Sequence, residues 1–154
     1  VSENRTVIKP KNLPFDTAVL FGCALPTGAG MVINELQPKP GSSLIVLGLG
    51  GIGMSALVAA LASQWKSVVA VDVSDEKLKF ANKMGCEYAI NSKEPNFREK
   101  ILEITEGGAD YCIESCGQII TIELGFALIN KNHGKLLFAS HPPDGEKYAS
   151  HHMN

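Results

Sequence analysis

A chain of 154 residues fits a single domain and can bury roughly 70% of the surface that its unfolded form exposes. Hydrophobic residues make up 45% and charged residues 19%, and a net charge of −2 supplies no basic field, which excludes a nucleic-acid partner. Cys23, Cys86, Cys112 and Cys116 are irregularly spaced and lack an export signal, which excludes a disulfide scaffold and points to a reducing, cytoplasmic setting.

The opening "VSENRTVIKPKNLPFD" carries charges where a signal peptide needs an apolar core, and it does not begin with Met. The expectation is a soluble chain taken from a longer one. Residues 15–36 read as two short helices interrupted at Pro26, and "QPKPGS" stops the second. No charged residue occurs between Lys39 and Lys66, a span long enough to cross a bilayer. However, Gly48, Gly50, Gly51 and Gly53 cluster at its middle, and each costs about 1 kcal/mol against Ala inside a helix. The better parse is a buried strand over 43–47, a glycine loop and a helix over 51–65, with no membrane partner.

The alternation then continues with strand 67–71, helix 75–84, strand 88–90, helix 96–105, strand 109–114, helix 119–129 and strand 134–139. Strands separated by helices predict an α/β fold: a Rossmann-type, doubly wound parallel sheet of five strands in three layers. In "VSDEKLKFANKMG" Ser74 or Asp75 is expected to cap the helix and Gly85 to end it in a left-handed conformation. "CIESC" lacks the two-residue gap of a zinc or redox motif and reads as buried or strand-end thiols. His151 and His152 stand on a tail, residues 146–154, expected to be disordered rather than metal-binding.

"GLGGIG" follows a predicted strand and opens a helix, the context in which such a motif binds a dinucleotide. Gly48 makes the tight turn, Gly50 lets backbone approach a pyrophosphate, and Gly53 lets the helix pack closely on the strand. Gly51 and Ile52 stand at the helix start, where free N–H groups and the positive dipole end face the anion. The alternative is that these glycines only relieve crowding in the turn. The next strand ends in Asp72, 19 residues past Gly53, near the separation of about 20 at which a carboxylate meets the adenosine ribose. That carboxylate favours NAD over NADP, and Val73 and Ser74 supply no arginine for a 2′-phosphate. Its alternative role is to cap the following helix.

Before the loop, "GCALPTGAGMVINE" places Cys23, Thr27, Gly28 and Gly30 in an order that resembles the approach to the cofactor domain in zinc-dependent alcohol dehydrogenases of the medium-chain dehydrogenase/reductase family. "GLGGIG", "VDVSDEK", "NFREKILEITEGGADYCIESCG" and "FASHPPDG" keep that family's order, so the resemblance covers most of residues 9–144. The resemblance implies Cys23 as a thiolate ligand of the catalytic zinc and Thr27 as the residue flanking the nicotinamide. It implies Lys77 as a second ribose contact, Ser115 and Cys116 beside the nicotinamide ribose, and Ala139 to His141 as backbone partners of the carboxamide. A buried apolar thiol is the other reading of Cys23.

On this resemblance residues 1–36 are a helical lead-in from a catalytic domain, residues 37–145 an NAD-binding Rossmann domain, and the substrate a small alcohol, polyol or carbonyl compound. The cofactors are NAD and, in the full-length enzyme, zinc; the full-length protein is expected to be a homo-oligomer. One thiolate cannot hold a catalytic zinc, which takes three protein ligands, so the chain by itself is expected to be inactive. The competing readings are a zinc-free NADPH-dependent reductase of the same superfamily and a module that senses NAD without chemistry.

Overall fold

The computed structural model describes residues 2–140 and Pro142. The expectations about His141 and about the tail with His151 and His152 lie outside the described residues. Five strands form one parallel sheet: β1 (Ser43–Leu47), β2 (Ser67–Asp72), β3 (Tyr88–Asn91), β4 (Tyr111–Glu114) and β5 (Lys135–Phe138). Their order is β3-β2-β1-β4-β5, so the chain builds outward from β1 in one direction and then returns to build in the other. This is the expected Rossmann-like arrangement.

The uncharged run around β1 owes its composition to protein on both sides. All five residues of the strand are buried. Leu44 and Val46 join a core cluster with Ala56, Leu57 and Ala60 of α3 (Gly51–Leu61) and Leu78 and Ala81 of α4 (Asp75–Lys83). Ile45 and Leu47 join a second cluster with Ile101 of α5 (Phe97–Ile104) and Leu124 and Leu128 of α6 (Ile119–Leu128). Side chains alternate between faces along a strand, so apolar residues at every position mean a layer of helices above and below. No single helix among the described residues is long and apolar enough to cross a membrane.

The lead-in forms α1 (Phe15–Ala18), a tighter turn over Val19–Gly22, α2 (Ala24–Gly30) and a wider π-type turn over Met31–Leu36. Met31, Val32 and Leu36 enter the first core cluster, so the end of this segment is part of the packed body, whereas α1 and the turn after it bury no residue. Its break falls at Cys23 (φ −150°, ψ −66°) and not at Pro26. Pro26 sits third in α2, where a helix has no acceptor for the missing N–H. Gly28 sets the packing of α2 on α3: a Cβ there would fall 2.8 Å from the Ala56 nitrogen, so only glycine permits the approach.

Helix α3 ends at Leu61 instead of continuing to Trp65. The chain needs those residues to turn back before Lys66 N–H bonds the Ser42 carbonyl and opens β2, and Trp65 packs edge-on against Tyr111 at 5.7 Å. Helix α4 starts after Ser74, but no side chain caps it; Asp75 accepts a hydrogen bond from Asn91 instead, at 2.6 Å. Its far end is as expected: Gly85 takes φ +100° and Cys86 N–H returns to the Ala81 carbonyl at 3.0 Å. At the amino edge of the sheet, Asp110 ties two strands together. One carboxylate oxygen accepts the Ser43 N–H and hydroxyl at 2.8 and 2.9 Å, and the other meets His133 Nε2 at 2.8 Å.

Candidate functional site

In a sheet whose strand order reverses, ligands bind outside the carboxyl ends of the strands at the reversal, which lies here between β1 and β4. Three segments meet there: the glycine loop after β1, the end of β2 and the turn after β4.

Each glycine of the loop answers to a different constraint. Gly48 has φ +86°, and a Cβ on it would fall 2.5 Å from the Cys116 sulfur, so both conformation and space demand glycine. Gly53 lies against the Gly48 carbonyl, and a Cβ would also fall 2.6 Å from the Ser115 hydroxyl. Gly50 is different, because a Cβ there would meet nothing within 4 Å. Gly48 and Gly53 are therefore explained by the protein's own packing, whereas Gly50 faces open space. At Gly51 the nearest neighbour is the Ala24 methyl, which brings the start of α2, next to Cys23, up to the loop. Ile52 packs against the first core cluster. No side chain caps the amino end of α3, and its first-turn N–H groups have no partners within the helix.

Asp72 ends β2 and is 8% exposed. One carboxylate oxygen accepts the Leu49 N–H at 2.7 Å and faces Lys77 Nζ at 3.4 Å; the other accepts the Ser74 N–H at 2.9 Å. Burial alone would raise its pKa, but these three donors outweigh burial and hold the carboxyl below its ordinary value. Asp72 therefore clamps the glycine loop to the turn before α4; its bond goes to the Ser74 N–H, ahead of the helix, and not to a first-turn N–H as a cap's would. Val73 beside it is 55% exposed.

On the other side of the crevice, the Ser115 hydroxyl donates toward the Gly48 and Leu47 carbonyls at 3.0 and 3.2 Å, tying β4 to the loop. Cys116 is exposed, yet its sulfur rests against Gly48. Burial of the thiol, and next the charge of Glu114, push its pKa up to about 11. Cys112 is buried and its thiol is raised further, by burial first. The Ala139 N–H is engaged by the Glu114 carbonyl at 2.9 Å.

Cys23 is exposed, not buried as a core thiol would be, and Thr27 is half-buried one helical turn further on. Among the described residues no group of three or more His, Cys, Asp or Glu side chains could hold a metal ion. The sequence marks Glu114 only as a lone acid closing an apolar strand.

The family described as zinc-binding dehydrogenase matches residues 51–153. Alcohol dehydrogenase 1 of Pisum sativum is 31% identical over 143 residues, covering 92% of this chain and 38% of the relative. Among solved structures, benzyl alcohol dehydrogenase from Acinetobacter calcoaceticus superposes with a TM-score of 0.83 at 35% identity, covering 94% of this chain and 40% of that one. An alcohol dehydrogenase zinc-binding domain protein from Burkholderia ambifaria gives 0.81 at 38% identity, covering 90% and 37%. The chain thus spans about two fifths of the length of the relatives it matches. It belongs to the zinc-binding dehydrogenase family.

Proposed function

We propose that this chain is the NAD(H)-binding domain of a zinc-dependent alcohol or polyol dehydrogenase. The observation that carries the reading is Gly50: a loop glycine with open space where a side chain would stand, at the uncapped start of a helix. Protein packing does not account for it, and a pyrophosphate does. The first turn of α3, at Gly51, Ile52 and Gly53, would receive the phosphates. Asp72, with Lys77 beside it, would receive the adenosine ribose, and Val73 offers apolar surface next to it. Ser115, Cys116 and Ala139 would line the nicotinamide side, with Thr27 reaching it from α2.

Bound there, the nicotinamide would exchange a hydride with a small alcohol or carbonyl compound. The chain's own part is to fix the cofactor's two halves on either side of the reversal between β1 and β4. Zinc does not fit the described residues by themselves. Cys23 offers one thiolate, a catalytic zinc takes three protein ligands, and no other described group completes the set. The remaining ligands, the substrate pocket, the assembly into a homo-oligomer and a cytoplasmic setting belong in this reading to the longer enzyme.

Calorimetric titration of NADH into the chain and into Gly50→Val, beside circular dichroism, tests the reading. The variant should fold as the parent does and lose binding. Undiminished binding by a folded Gly50→Val protein would leave the loop a purely structural device.

A further inference from the structure

Glu114 is wholly buried, and no other charged side chain among the described residues is. It closes β4 opposite Leu47 of β1, at the reversal of strand order. A carboxylate taken out of water costs several kcal/mol unless donors are fixed around it. Here they are. Oε1 accepts the Cys116 N–H at 2.8 Å, the Gly117 N–H at 3.0 Å and the Thr121 hydroxyl at 2.7 Å, while Oε2 faces the Ser140 hydroxyl at 3.5 Å.

All three short bonds hold one object, the turn from Ser115 to the first turn of α6. Gly117 in that turn takes φ +72°, and the turn sets the Cys116 sulfur against Gly48. The wall of the crevice on the β4 and β5 side thus takes its shape from a carboxylate behind it. The opposite side has bonds of its own, from the Leu49 and Ser74 N–H groups to Asp72.

We infer that Glu114 is a positioning residue for the second nucleoside of the dinucleotide: it shapes the β4-side half of the crevice from within, and the Asp72-side half does not depend on it. The inference rests on the NAD(H) reading and divides that site into two separately supported halves. What the ligand needs from Glu114 is the acceptor and its placement. The charge itself would repel a pyrophosphate, and the three donors offset it. An amide oxygen in the same place can accept the same bonds, and its NH₂ can donate to Ser140. A leucine cannot, and it leaves the Cys116 and Gly117 N–H groups without their acceptor.

The test is calorimetric titration of NADH and of AMP, the fragment confined to the Asp72 side, into the chain and into Glu114→Gln, Glu114→Leu and Thr121→Val, with circular dichroism on each. Glu114→Gln should keep NADH affinity within about threefold, and Glu114→Leu should lose about tenfold or more, while AMP affinity stays within about twofold for both. Thr121→Val keeps both backbone bonds and should weaken NADH about threefold with AMP unchanged, which decides the matter if the leucine variant does not fold. Equal loss of NADH and AMP in a folded variant would make Glu114 a general support of the fold and overturn the inference. So would NADH binding that every folded variant retains. Failure of the unsubstituted chain to bind NADH would overturn the cofactor reading itself, and that result is distinct from either.

Discussion

Asp72 shows how one side chain carries duties that a sequence motif reports only in part. From the sequence its expected partner is a ribose, with the start of the following helix as the alternative. In the structure it holds the Leu49 and Ser74 N–H groups and faces Lys77. Asp72→Gly should narrow the gap between NADH and NADPH affinity by about 1 to 3 kcal/mol, the range for a lost charge-assisted pair, and should also loosen the glycine loop. Paired titrations of the two cofactors measure the first effect and thermal melting the second. Asp72 and Asp110 are both held below their ordinary values, each because hydrogen-bond donors outweigh burial, with Ser43 and His133 supplying them at Asp110. A carboxyl depressed on folding stabilises the protein above its unfolded value of about 4, and that contribution is lost as pH falls through the folded value. Urea unfolding between pH 6 and pH 3 should therefore show falling stability below about pH 4, with a shallower fall in Asp72→Asn. An unchanged pH dependence in that variant would contradict the assignment. At Cys116, a pKa of about 11 leaves about one thiol in a thousand ionised at pH 8. Alkylation of this exposed thiol should be slow at that pH, accelerate as pH rises, and be suppressed by NADH.

At the scale of elements, the glycine loop separates packing from binding. Gly53→Ala would press a methyl group into the Gly48 carbonyl and should destabilise the fold by about 3 kcal/mol, seen as a lower melting temperature. Gly50→Val should leave the fold intact. Both glycines were legible as one motif, but only the structure tells which of them the protein needs for itself. The five strands and the burial of β1 on both faces are legible because each apolar run is bounded by turn residues and β1 is an unbroken apolar run after Ser43. The break at Cys23 is not legible, since proline marks a breaker in sequence although the third position of a helix tolerates it. The early end of α3 was hidden as well. Residues 62–65, Ala-Ser-Gln-Trp, hold no glycine or proline to stop a helix, and only the length needed to turn back to β2 rules the helix out there. Glu114 is not legible in "CIESC", because its consequence comes from burial, which no spacing reports.

For the whole molecule, the chain spans about two fifths of the relatives it matches, and its residues fall into two groups. Those that would bind cofactor are assembled; those that would bind zinc number one thiolate among the described residues. The chain alone, given NAD, zinc and a panel of primary, secondary and polyol alcohols, should therefore show no NADH formation above background by absorbance. Turnover that Cys23→Ala abolished would mean that the chain builds a metal site by itself. The central claim is the NAD(H) site in the crevice between β1 and β4, and the most direct measurement is a fluorescence titration of the unsubstituted chain with NADH and NADPH side by side. The account predicts saturable NADH binding and NADPH binding weaker by about tenfold or more, because a 2′-phosphate would face the Asp72 carboxylate. Equal affinities, or no NADH binding by the folded chain, would contradict it.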